Sequence, residues 1–139
     1  MKRFISLAFC LILMVSLFSF PAKAATYASD YLRSYNASLS TGSRSGQLSL
    51  SFSASANDSM ASIGVSSITV YTAEGEYVKA ISGSTSNGLL ASRTYSHNGV
   101  YSISVTPGQE YYLCLTFVAR DSYSGDSKLY TTNTATAAR

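Results

Sequence analysis

The sequence predicts an all-β fold, a single antiparallel β-sandwich of about seven strands. Three observations carry that expectation. Apolar residues recur with a period of two along most of the chain. Turn signals separate the alternating runs at short intervals. No stretch sustains the longer period of an amphipathic helix.

The clearest run is "GQLSLSFSASAN", where Leu48, Leu50, Phe52, Ala54 and Ala56 alternate with Ser49, Ser51, Ser53 and Ser55. Such alternation marks a strand with one packed and one wet face. Tyr35, Ala37 and Leu39 alternate with Asn36, Ser38 and Ser40, and "GSRSG" (Gly42 to Gly46) joins the two runs as a turn. "SITVYT" from Ser67 and "YVKAI" from Tyr77 follow as strands linked by the turn "AEGE". His97–Asn98–Gly99 reads as a turn signal ahead of Tyr101, Ile103 and Val105. Tyr111 to Ala119 comes next across the Pro107–Gly108 corner, and the Thr-rich "SKLYTTNTATA" from Ser127 reads as an edge strand. Asp58 to Val65 and Ser82 to Thr94 are less legible, with Met60–Ile63 and Leu89–Leu90 suited to short helical turns or a crossing strand.

The chain divides into two segments. Lys2 and Arg3, an apolar run from Phe4 to Phe20, and Ala22–Lys23–Ala24 after Pro21 have the form of a secretory signal peptide over residues 1–24, cleaved near Ala24. Cys10 lies behind Phe9 within that run, where a lipidation site wants a small residue. Residues 25–139 are then one secreted β-sandwich domain, long enough for a core without staples. Lys2, Arg3 and Lys23 leave with the signal, so the ten basic residues fall to seven, against seven acidic ones. A balanced charge gives no footing for nucleic acid, or for a membrane after cleavage.

Cleavage leaves Cys114 as the one cysteine, so no internal disulfide can form. Its setting depends on the register of "TPGQEYYLC". One face of that strand holds Tyr111, Leu113, Leu115 and Phe117; the other holds Tyr112, Cys114, Thr116 and Val118. A one-residue slip exchanges them. Burying each Leu or the Phe contributes about 1.5–3 kcal/mol, and Cys and Thr offer less. The first face is expected inward. Cys114 is then an outward thiol, a candidate reactive group and a candidate link to a dimer of an otherwise monomeric chain.

The segment "VTPGQEYYLCLTFVA" resembles a fibronectin type III domain, within the wider immunoglobulin-like class of sandwiches. In that family the Tyr following Pro-Gly-x-x forms a corner whose hydroxyl bonds back to nearby backbone, and Tyr111 matches that position. The chain has no Trp, where the family has a core Trp. "ASDYLRSY", "IGVSSI", "ASRTYSHNG" and "DSKLYTTN" also resemble small secreted proteins of unknown function from Gram-positive bacteria. That likeness implies a sandwich and an exported location, and no activity.

No constellation for catalysis emerges, and no catalytic residue, cofactor or metal is assigned. His97 stands beside Asn98–Gly99, and neither Asp121 nor Asp126 nor any serine falls at a spacing that supports a Ser-His-Asp set. Glu74, Glu76 and Glu110 flank turns open to solvent. "DSYSGD" (Asp121 to Asp126) offers oxygen donors of the kind calcium prefers, but turn chemistry explains the same residues.

Composition is more suggestive. All eleven tyrosines follow Ala24, amid abundant Ser and Thr and few charges. Tyr among small polar residues suits adaptable recognition, although Tyr and Thr are also good strand formers. Tyr95, Tyr123, Tyr71 and Tyr112 are the candidate binding surface. The expected function is a secreted, non-enzymatic interaction module acting on an extracellular protein. The alternatives are a carbohydrate-binding module, which takes a glycan and needs a planar patch of exposed tyrosines, and a small hydrolase, which needs His97 beside a Ser or carboxylate.

Overall fold

The computed structural model describes residues 31–139; the segment read as a signal peptide, with Cys10, lies outside the described residues. Among the described residues nine strands form and no helix occurs: β1 (Leu32–Thr41), β2 (Gln47–Met60), β3 (Ser62–Thr72), β4 (Tyr77–Ser82), β5 (Leu90–Ala91), β6 (Thr94–Ser104), β7 (Glu110–Arg120), β8 (Gly125–Thr131) and β9 (Ala135–Thr136). One sheet has the order β1-β2-β6; the other runs β4-β3-β7-β8, with β5 beside β3 and β9 beside β7. All these pairings are antiparallel. The expected all-β sandwich is present. The surplus over about seven strands consists of the two-residue bridges β5 and β9.

The core lies between the sheets. Leu39, Leu48, Leu50, Phe52 and Ile103 come from the smaller sheet, and Ile63, Ile68, Val70, Tyr111, Leu113, Leu115 and Phe117 from the larger one. The register of β7 is the one that packing volume demands: Tyr111, Leu113, Leu115 and Phe117 are buried, while Tyr112, Cys114 and Thr116 are half-buried on the other side. Val118 belongs to the outward set by parity yet is buried, opposite side-chain-free Gly64. The Tyr111 hydroxyl accepts a hydrogen bond from the Thr106 amide (3.2 Å) and donates one to Gln109 Oε1 (3.1 Å), which ties the corner to the strand that leaves it.

Where alternation fades, longer-range contacts take over. Met60 and Ile63 are both buried on either side of an exposed Ala61, because here the chain crosses from one sheet to the other. The 83–89 connection is a side-chain-built loop. Asn87 Oδ1 accepts from the amides of Ser84 (3.0 Å) and Leu89 (3.2 Å), and its Nδ2 donates to Ser82 O (2.8 Å). Leu89 plugs the core, and its carbonyl accepts from Val65 N (2.8 Å). Gly64 makes that approach feasible, since a Cβ there would lie 2.2 Å from Leu89 O.

Two expectations need correction. His97–Asn98–Gly99 is not a turn but the middle of β6. Gly99 pairs with Phe52, and a Cβ on it would lie 3.2 Å from Phe52 Cζ, so the glycine makes room for a ring. The reversal falls earlier, where Arg93 adopts a φ of 56°. The C-terminal segment, in turn, is not one edge strand. Thr132 turns inward, its Oγ1 accepting from Leu113 N (3.0 Å), and Asn133 clamps Leu39 through both its amide atoms (3.0 and 2.8 Å). Ala137 is buried between the two turns of that end, donating to Gln109 O (2.8 Å) and accepting from Gly108 N (3.1 Å).

Candidate functional site

Strand pairing assembles one aromatic row. The β3–β4 register sets Tyr71 opposite Tyr77, and the β3–β7 register sets Tyr71 opposite Tyr112. All three lie on the face of the larger sheet turned away from the core. Tyr71 and Tyr112 are half-buried, and Tyr77 is 64% exposed. The Tyr71 and Tyr112 rings stack with centroids 5.4 Å apart and planes 17° from parallel. Tyr77 flanks Tyr71 from the other side at 6.3 Å and 78°. The hairpin between them is held by Thr72, whose amide donates to Glu76 O (2.9 Å) and whose Oγ1 accepts from Glu76 N (3.1 Å).

The next row along this face is Ala80, Thr69, Cys114 and Thr131. Cys114 is half-buried with its Sγ 3.7 Å from Thr131 Oγ1, so it lies beside the tyrosine row and has no cysteine partner among the described residues. Beyond it Thr116 accepts from Ser67 Oγ (3.1 Å), and Leu129 is largely exposed. From Tyr112 to Val118, with their neighbours on β3, β4 and β8, no outward position carries a charge. The surface is therefore amphipathic through tyrosine and hydroxyl groups rather than through ions.

Of the four tyrosines singled out in the sequence, two meet and two do not. Tyr71 and Tyr112 share the row. Tyr95 and Tyr123, both strongly exposed, stand at the opposite end of the sandwich. The run of β7 from Tyr112 to Arg120 separates the two groups by about 26 Å. Tyr77 is absent from the sequence-based set. The signal that could have found it is the "AEGE" turn, which brings the residues flanking it face to face.

His97, Asp121 and Asp126 have structural partners. His97 donates from Nε2 to Gly88 O (2.7 Å), and its ring meets Phe52 edge-on at 5.4 Å. It staples β6 to the 83–89 loop across the open side of the sandwich. Asp121 accepts from the amides of Tyr123 and Ser124 (both 2.7 Å) and Asp126 from that of Tyr31 (2.9 Å). The amides of Ser124 and then Tyr123 hold the Asp121 carboxyl below the ordinary aspartate range. Among the described residues no group of three His, Cys, Asp or Glu side chains is disposed to hold a metal ion.

The outer face of the smaller sheet is a grid of small polar residues. Cross-strand rows run Asn36–Ser53–Asn98, Ser38–Ser51–Val100 and Ser40–Ser49–Ser102. A shallow depression of about 470 Å³ opens over the first two rows. Asn36 Oδ1 there accepts from Tyr130 Oη (2.8 Å). Nothing in this depression titrates near neutrality, so it offers no acid–base pair.

The fold and its surface define an all-β sandwich with an aromatic row on one outer face, bordered by the exposed Glu76 and Glu110 at the turn end. Compared with family models, curated proteins and solved structures, the chain finds no match.

Proposed function

We propose that this chain is an exported, non-catalytic sandwich of the fibronectin type III-like class, which binds an extracellular protein through the outer face of its larger sheet. The strand orders support the class. Lettered in chain order with β5 set aside, β1-β2-β6 corresponds to A-B-E and β4-β3-β7-β8 to C′-C-F-G of immunoglobulin-like sandwiches. The Tyr111 corner supports it further.

The observation that carries the functional reading is the Tyr77–Tyr71–Tyr112 row. Tyrosine provides broad, rigid contact at low entropic cost, and the uncharged outward positions from Tyr112 to Val118 lower the desolvation cost of covering that stretch. Ring orientation favours a protein over a sugar. A saccharide stacks on an open aromatic face, whereas Tyr71 is stacked by Tyr112 on one side and flanked by Tyr77 on the other.

Affinity capture tests this function. The purified protein, and a Tyr77→Ser/Tyr112→Ser double variant, are offered to extracellular protein fractions and, separately, to cell-wall glycans. A protein retained by the wild type and lost with the double variant is the expected result. Equal retention by both, or retention of glycan alone, sinks it.

A further inference from the structure

The smaller sheet ends at β6, whose outer edge no strand pairs with among the described residues. In a β-strand successive backbone groups alternate sides, and Val105 N, just past β6, donates toward β2 at Gly46 O (2.7 Å). Ser104 and the even-numbered residues before it therefore direct N–H and C=O away from β2. Two further contacts agree. Ser104 O accepts from Lys79 Nζ across the open side, and the Ser96 amide and carbonyl are both engaged by Thr94 Oγ1 (3.4 and 3.1 Å). Between these two caps stand Asn98, Val100 and Ser102, and among the described residues no strand pairs with that edge.

Soluble proteins ordinarily blunt such an edge with lysine, proline or a bulge. From Tyr95 to Ser104 the strand has no proline and no Asp, Glu, Lys or Arg. Its outer side carries one large apolar residue, Val100, which is 68% exposed amid serine and asparagine.

We propose that β6 pairs with β6 of a second copy of this chain about a two-fold axis at Val100, joining two three-stranded sheets into one of six. The edge is symmetric about that residue. The caps at Ser96 and Ser104 lie four positions to either side. An antiparallel partner sets Val100 against Val100 and Asn98 against Ser102, so the three outward residues of each strand exchange all their N–H and C=O groups. The side chains agree with the backbone. Val100 meets its own copy as an apolar cross-strand pair, and no like charges are opposed. An extended segment of another protein could use the same backbone groups, but it would have no need of the symmetric caps. The pairing concerns β6 alone and stands whether or not the tyrosine face binds a protein.

Sedimentation velocity on the purified exported protein, over a wide concentration range, is the test, with amide exchange followed by NMR. The expected result is a reversible dimer whose Asn98, Val100 and Ser102 amides exchange slowly and become fast on dilution. Val100→Lys opposes two like charges at the axis and raises the dissociation constant about tenfold or more. Val100→Pro removes the central donor; should it fail to fold, the lysine variant and the exchange rates still decide. Cys114→Ser, on the other sheet, leaves the dimer intact under non-reducing conditions. A monomer throughout, a dimer indifferent to Val100→Lys, a dimer lost with Cys114→Ser, or protection of those amides only when a different chain binds would each overturn it.

Discussion

Tyr71 and Tyr112 stack across the β3–β7 ladder, 5.4 Å between centroids and 17° from parallel. They lie far apart in the chain, and the strand register makes them neighbours. Their contact closes one ring face of each. Aromatic pairs of this kind contribute about 0.5–1.5 kcal/mol beyond their buried area, so the row is at once part of the sheet's stability and its most distinctive surface.

The corner at Tyr111 gives a direct stability prediction. Tyr111→Phe keeps the ring in the core and deletes the hydroxyl that receives Thr106 N–H. Loss of that bond and of the one to Gln109 should cost about 1–2 kcal/mol. Chemical denaturation checks it: the midpoint falls while the slope stays the same. An unchanged midpoint would mean that the corner contributes nothing.

Two glycines separate steric from conformational demand. Gly64 and Gly88 both have positive φ, 137° and 81°. A Cβ at Gly64 meets Leu89 O at 2.2 Å, whereas at Gly88 nothing lies within 4 Å. Gly88→Ala should therefore cost about 1–2 kcal/mol from backbone strain alone. Gly64→Ala adds the clash and should cost about 3 kcal/mol or more. Thermal melts of the two variants compare them, and equal losses would contradict this placement of Leu89.

The Asp121 turn should be sensitive to acid in a defined direction. Amide donation from Ser124 and Tyr123 lowers the folded-state pKa of Asp121 relative to the unfolded chain. The stabilisation is therefore present above the ordinary aspartate pKa of about 3.9 and is lost as pH falls through the lower folded value. NMR titration should show the Tyr123 and Ser124 amides holding their shifts down to that range and then moving. Asp121→Asn should abolish the transition. A midpoint at or above the ordinary value would contradict the geometry.

Export is testable at the N-terminus. Sequencing the protein recovered from culture medium should read Ala25–Thr26–Tyr27, the product of cleavage after Ala24. Retention in the cells with Met1 intact would contradict the proposed signal peptide.

Legibility in the sequence followed the reach of the forces involved. The faces of β1, β2 and β7 could be read because Leu48, Leu50, Phe52, Leu113, Leu115 and Phe117 alternate with Ser, Thr and Cys over adjacent positions. The 83–89 loop could not, because its form depends on Asn87 bonding to the local backbone and on Leu89 entering a gap opened by Gly64 on another strand. His97–Asn98–Gly99 carries turn-forming residues, but here Gly99 serves the Phe52 ring across the ladder and His97 the Gly88 carbonyl. The tyrosines were legible as outward residues one by one. Their grouping was not, since it needs the pairing of three strands, and that pairing took in Tyr77 and left Tyr95 and Tyr123 at the far end.

If the tyrosine row is the surface a protein partner covers, hydroxyl-radical footprinting reads it most directly, on the free protein and on the complex captured from the extracellular fraction. Tyr77, Tyr95 and Tyr123 are 64%, 64% and 96% exposed, so all three label in the free protein and two serve as internal references. Labelling of Tyr77 should fall in the complex while Tyr95 and Tyr123 stay as they were. Protection of Tyr95 or Tyr123 with Tyr77 still labelled would contradict the assignment of this face.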